Sequence, residues 1–281
     1  MKKFLKILLW TIVPLIVLVA ALLAVFAYKI ENGFPVFYET DAPVIDFPAD
    51  QKTVLLFSKA TGFRHGESIE AGQKAFIEMA KKNNWFLYNT EEGGVFNPEQ
   101  LAKFDVVIFN NSTGRVLNDE QQKALEEYVA QGGVLIGIHG SGDSSHHWDW
   151  YEKNLMGSKF SHHPLDPQLQ ETEVTLNNVP DSLIARGLPT TWKHTDEWYV
   201  FTGNPRAKGF HILYAIDGES INPNGNILWI KDRNFGMGKD HPVAWYRETG
   251  KGLTFYTSIG HNAEAWKQEA FVTMLENVIN K

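Results

Sequence analysis

The stretch Gly132-Gly-Val-Leu-Ile-Gly-Ile-His-Gly-Ser-Gly-Asp143 constrains this chain most. An amphipathic helical pattern opening at Asn118 runs into a glycine pair, and a short apolar run then stops at a histidine flanked by glycines. A strand this brief and uniformly apolar fits a parallel sheet covered on both faces. Ligands of open α/β sheets bind beyond the carboxyl ends of such strands. His139 is therefore a candidate site residue, and Gly140 and Gly142 can turn backbone N–H groups toward a bound group. A packed histidine in an ordinary strand-to-helix turn is the alternative at this point.

Three earlier segments repeat the pattern. Val54–Ser58, Trp85–Tyr88 and Asp105–Phe109 read as strands, and the 68–83 region has helical spacing of Ile69, Ala75, Phe76, Met79 and Ala80. Asn97-Pro98 and Asn118 have the chemistry of helix caps. The alternation β-α-β-α-β-α-β predicts a flavodoxin-like, doubly wound, mostly parallel sheet, with the first and fourth strands as neighbours at its centre. The loops carrying Arg64 and His65, Asn110 to Gly114, and His139 to Asp143 should share one rim. Beyond Asp143 further strands are expected at 173–176, from His194, at 211–215, 243–246 and 253–259, before a closing helix over 263–279. These strands form a β-rich C-terminal insertion.

Lys2, Lys3 and Lys6 precede an uncharged stretch, Ile7 to Tyr28. As a helix it would be about 33 Å long, enough for a hydrocarbon core of about 30 Å. Residues 1–6 then form a cytoplasmic basic tip, 7–28 a transmembrane anchor, 29–51 a tether and 52–281 the α/β domain on the periplasmic or extracellular side. A cleaved signal peptide is the alternative, since Val25-Phe26-Ala27 offers a cleavage-like spacing. Without the three lysines, 23 basic residues face 33 acidic ones, which argues against a nucleic-acid partner. The chain has no cysteine, so thiol nucleophiles, disulfides and zinc knuckles are excluded.

Several motifs, taken in order, carry a resemblance: Thr61-Gly-Phe-Arg-His65, Leu117-Asn-Asp-Glu-Gln-Gln122, the stretch ending at His139, His162-His-Pro164, Thr195-Asp-Glu-Trp-Tyr199, Asp240-His-Pro-Val-Ala-Trp245 and Gly260-His261. From Val54 to Asn280 the chain resembles the ThuA-like (trehalose utilisation) family, whose fold is that of the class I glutamine amidotransferase-like superfamily. The resemblance implies trehalose, disaccharide or keto-sugar metabolism. It departs from the family pattern at Asn262, where threonine usually follows Gly-His. Amidotransferases of this fold place cysteine where His139 stands, so thioester hydrolysis of glutamine is excluded. Ser141 lacks the Gly-x-Ser-x-Gly setting of a serine nucleophile.

All ten histidines follow the apolar segment. His139, Asp143 and Glu197 are candidate catalytic groups, with the placement of Glu197 implied by the resemblance. His65, Arg64, Trp198, Trp245 and His261 are candidate sugar-binding residues, since aromatic faces suit the C–H face of a pyranose. His139, His163, His194 and His261 are candidate ligands for a divalent metal, although no compact metal motif is present. His65, His139, Glu197 and His261 are expected in one pocket at the carboxyl edge. Three functions stay open: a sugar-modifying enzyme using acid–base or metal-assisted chemistry, a non-catalytic carbohydrate-binding module, and a protein scaffold, which gains support if the rim residues prove mutually distant.

Overall fold

The structure is a computed structural model that describes residues 2–32, 37–181, 183–226, 231 and 235–281. Its elements in chain order begin with α1 (Lys2–Asn32), β1 (Thr53–Phe57), α2 (Gly66–Asn83), β2 (Phe86–Thr90), α3 (Pro98–Leu101), β3 (Val106–Asn110), α4 (Asp119–Gln131) and β4 (Val134–Ile138). There follow α5 (Asp149–Tyr151), which continues as a π-helical turn Glu152–Met156, and β5 (Phe160–His162), β6 (Gln170–Leu176) and β7 (Thr191–Asp196). The chain closes with β8 (Val200–Phe201), β9 (His211–Ile216), β10 (His241–Thr249), β11 (Gly252–Thr257) and α6 (Glu269–Asn280).

One nine-stranded sheet has the order β2-β1-β3-β4-β11-β10-β9-β6-β7. The first five of these strands are mutually parallel, and β10, β9, β6 and β7 extend the sheet antiparallel from β11. The doubly wound α/β fold and its β-rich extension are as the sequence pattern predicts. The expected pairing of the first and fourth strands is corrected, because β3 lies between β1 and β4 and bonds to both. All three run in parallel, so their carboxyl ends still share one rim.

Strand side chains alternate between two cores. Val54, Leu56, Ile108 and Ile136 point to one face, where they meet Phe76 of α2 and Met274 and Leu275 of α6. Leu55, Phe57, Val107, Phe109 and Leu135 point to the other, against Leu125, Tyr128 and Val129 of α4. Burial on both faces explains why β1, β3 and β4 carry apolar runs, Val54–Phe57, Val106–Phe109 and Val134–Ile136, in place of an apolar–polar alternation, and truncating one such side chain costs about 2 to 5 kcal/mol. By contrast β6 alternates buried and exposed positions, as a strand with one wet face does.

The turns are set by local chemistry. Asn118 accepts the Gln121 N–H at 2.9 Å while the Gln121 side chain accepts the Asn118 N–H at 2.9 Å, a reciprocal cap on α4. α4 ends at Gly132, whose φ of +131° favours glycine. His139, directly after β4, has φ +41°, a left-handed conformation unusual for a side-chain-bearing residue and often found at functional sites. Within α1 the 21-residue stretch Leu8–Tyr28 has mean hydropathy 2.8 and no burial against the domain.

Candidate functional site

Four strand ends build the site. The loop after β1 supplies His65, the end of β4 supplies His139, the end of β7 supplies Asp196 and Glu197, and the loop after β11 supplies His261. The expected convergence holds: one potential ligand atom from each of His65, His139, Glu197 and His261 lies within 4.8 Å of the others.

His139 is the floor of this cluster. Its ring is fully buried, and Nδ1 lies 2.6 Å from the Ser258 carbonyl oxygen. A carbonyl only accepts, so Nδ1 carries a proton and Nε2 faces the cluster, where the neutral ring presents a lone pair. There Nε2 lies 3.4 Å from Glu197 Oε2 and 3.3 Å from His261 Nδ1. The backbone around the ring is tied down: Tyr256 donates its hydroxyl to the His139 carbonyl at 2.8 Å, and Gly140 N–H donates to Asn111 Oδ1 at 3.1 Å.

Glu197 divides its two oxygens. Oε1 accepts from Gln168 Nε2 at 2.5 Å and sits 2.9 Å from His163 Nδ1. Oε2 faces His139 and, at 3.2 Å, His261 Nδ1. Burial pushes this carboxyl up, but the contacts with His139, His163 and His261 outweigh it and hold the group far below the usual carboxylate range. Glu197 therefore stays ionised.

Behind Glu197, Asp196 is fully buried and clamps two strand ends together. Its Oδ2 accepts from Gly260 N–H at 2.8 Å and contacts His194 Nε2 at 2.9 Å, while Oδ1 accepts from Glu197 N–H at 2.8 Å and His261 N–H at 3.1 Å. Burial raises the Asp196 carboxyl, yet the His194 hydrogen bond and the nearby His139 bring it below its ordinary value.

A cavity of about 180 Å³ opens above the cluster, lined by Phe63, His65, Thr113, Asp143, Phe160, His163, Gln168, Glu197, Tyr199 and His261. Burial pushes the Asp143 carboxyl up to about 7, against a hydrogen bond from the Gly114 backbone. Burial, then the adjacent His139 and His261 rings, pushes His65 down to about 2, so it is neutral. A carboxyl raised to about 7 and an ionised carboxylate thus line one pocket, an arrangement that separates acid from base roles.

Other expected site residues fall elsewhere. Trp198 and Trp245 are fully buried and do not line the cavity; their indole N–H groups donate to the Gln170 carbonyl at 2.8 Å and the Leu155 carbonyl at 3.0 Å. These large apolar rings gain more from the core than from the rim. The aromatic lining comes instead from Phe63, Phe160 and Tyr199. Arg64 turns outward to a two-point ion pair with Glu91, at 2.6 and 3.0 Å. His194 lies behind the cluster on Asp196, and His163 braces the outer oxygen of Glu197, so neither is among the four convergent groups. Gln168, Ser258 and the clamping role of Asp196 were not expected; only Asp196, beside Glu197 in the Thr195–Tyr199 motif, had a visible signal.

The family model described as ThuA, trehalose utilisation, matches residues 53–280. Among solved structures, a ThuA-like protein from Bacteroides uniformis superposes with a TM-score of 0.64 at 22% identity, covering 84% of this chain and 94% of that one. A ThuA-like protein from Parabacteroides merdae gives 0.61 at 15% identity, covering 82% and 89%. At these identities the likeness establishes the shared fold. No curated protein matches the chain. With the family match spanning the whole α/β domain and its motifs gathered at one rim, the chain belongs to the ThuA family of trehalose utilisation.

Proposed function

We propose that this protein is a membrane-anchored enzyme that modifies one ring of trehalose, a related disaccharide or its keto form outside the cytoplasm. The observation that carries the reading is the convergence of three imidazoles, an ionised carboxylate and a proton-bearing carboxylic acid on one small cavity. Clefts for drug-sized ligands measure roughly 300 to 1,000 Å³. A cavity of about 180 Å³ suits a single sugar ring, with the rest of a disaccharide left outside. Phe63, Phe160 and Tyr199 offer apolar faces to the ring's C–H surface, and the polar groups meet its hydroxyls.

In this reading Asp143 gives a proton to a departing or developing oxygen, since its carboxyl holds that proton near neutrality. His261, relayed to the unprotonated Nε2 of His139, accepts a proton from the substrate, and Glu197 stabilises the positive charge that forms on the imidazole pair. Glu197 is unsuited to the acid role because its neighbours keep it ionised. Anchoring rests on α1: its 21-residue apolar span would measure about 32 Å, and the lysines before it favour a cytoplasmic N-terminus.

The test is incubation of the full-length protein, purified in detergent, with trehalose, other glucosides and their 3-keto forms, followed by NMR. Conversion of one of them is expected. A sugar that binds but is returned unchanged, with binding that survives His139→Ala, would instead make the chain a carbohydrate-binding module. No turnover of any sugar with divalent metal supplied overturns the enzymatic reading.

A further inference from the structure

We infer that His65, His139, Glu197 and His261 form a binding site for one first-row divalent cation of the kind zinc represents. The inference concerns the same pocket and rests on that reading only for the place of the site: a cation there takes the lone pairs that the His261–His139 relay would use, and its geometry and its test are independent of any sugar.

Distances carry the argument. His139 Nε2, His261 Nδ1 and Glu197 Oε2 form a nearly equilateral triangle with sides of 3.3, 3.4 and 3.2 Å. Charge-assisted N–H···O hydrogen bonds are about 2.7 to 2.9 Å long, so the two nitrogen–oxygen sides are too long to be good ones. Metal–ligand distances of about 2.0 to 2.1 Å in a tetrahedral site put neighbouring ligand atoms about 3.3 to 3.4 Å apart. The observed sides match that edge. His65 offers a fourth ligand atom, within 4.8 Å of each of the others.

Proton counting points the same way. The Ser258 carbonyl takes the Nδ1 proton of His139, which in the neutral ring leaves a lone pair on Nε2, and that lone pair faces a carboxylate-type oxygen, Glu197 Oε2, at 3.4 Å. One proton on His261 cannot satisfy both acceptors at these distances, whereas a cation at the centre meets every lone pair. His65 adds an independent sign: its Nδ1 is buried and has no hydrogen-bond partner, and the residue is only 7% exposed. Buried ring nitrogens are rarely left unpaired.

The supporting groups are those a metal centre requires. Ligating histidines usually donate their second ring nitrogen to a carbonyl or carboxylate, as His139 does to Ser258. Glu197 has its outer oxygen fixed by Gln168 and His163, which leaves Oε2 as a single-point ligand. Asp196 holds the backbone of both Glu197 and His261. Three nitrogens and one oxygen favour zinc, cobalt, nickel, iron or manganese over calcium and magnesium, which prefer all-oxygen shells. Because His65, Glu197 and His261 also line the cavity, the cation would face the space a sugar oxygen can reach.

The experiment uses the full-length protein without a histidine tag, in detergent, stripped with a chelator and titrated by calorimetry with Zn²⁺, Co²⁺, Ni²⁺, Mn²⁺ and Fe²⁺ in turn. Metal content before stripping is read by mass spectrometry. We expect one equivalent per chain for at least one of these cations, and the visible spectrum of a four-coordinate centre with Co²⁺. His261→Gln and Glu197→Gln should each weaken binding at least 100-fold with unchanged circular dichroism, His163→Gln should weaken it about tenfold, and the exposed His211→Ala should leave it intact. Absence of binding by all five cations, or binding that both His261→Gln and Glu197→Gln leave unchanged, overturns the inference. Metal bound without sugar turnover leaves it standing and counts against the enzymatic reading. Turnover by protein that binds none of the five cations does the reverse.

Discussion

The Ser258 carbonyl oxygen lies 2.6 Å from His139 Nδ1, and this one contact decides which nitrogen of His139 faces the site. β4 and β11 are hydrogen-bonded neighbours, with Ile138 opposite Thr257, so the acceptor comes from the chain immediately beyond the adjacent strand. The sheet itself therefore sets the tautomer.

His139→Asn tests that arrangement. Asparagine tolerates the left-handed conformation that His139 adopts, so the turn should survive and circular dichroism should be unchanged. Activity on the converted sugar should fall by about 10²- to 10⁴-fold, the usual contribution of a positioned acid–base group. Retention of most of the activity would remove His139 from the proton relay.

Asp143→Asn should make stability less sensitive to pH. The carboxyl titrates at about 7 in the folded protein and near about 4 when unfolded. Its raised value favours folding most fully below about pH 4, and that advantage is lost as pH rises to about 7. Asparagine cannot ionise, so the variant should match wild type near about pH 4 and melt at a higher temperature near about pH 8. Thermal melts across this range check the sign; a variant less stable at the alkaline end contradicts it.

Asp196→Ala should cost stability as well as activity. It removes the acceptor for the Gly260, Glu197 and His261 N–H groups and strands His194, all in the interior. Breaking a buried paired charge costs about 3 to 5 kcal/mol. For a domain of this size the melting temperature should drop by about 10 °C. A melt within about 2 °C of wild type would show that Asp196 is not the clamp the contacts describe.

Removal of residues 1–36 should release the protein from membranes. Full-length protein should remain in the pellet after an alkaline carbonate wash, and a protease added outside intact cells or spheroplasts should reach the α/β domain. Full-length protein in the soluble fraction would mean that α1 does not anchor it.

The central strands and their rim were legible in the sequence because each is a short apolar run ending in polar or glycine residues, as at Ile138-His139-Gly140. Parallel order then carries the histidines to one edge without further information. The contact between Asp196 and Gly260 was not legible: it joins residues 64 apart, and no local pattern encodes that the end of β7, an edge strand of the sheet, reaches the loop after β11. Trp198 and Trp245 misled for a physical reason, since an indole beside charged residues reads alike whether it lines a rim or fills a core with its N–H bonded to a carbonyl. Arg64 is similar, a cation beside His65 in sequence whose side chain reaches away to Glu91.

The most direct measurement is a crystal structure of the protein soaked with the sugar it converts, or with trehalose. The account predicts one hexose ring inside the cavity, against Phe63, Phe160 or Tyr199, with a hydroxyl or glycosidic oxygen within hydrogen-bond distance of Asp143 and another at the Glu197–His261 pair. A sugar seated elsewhere on the molecule, with this cavity empty, would contradict it.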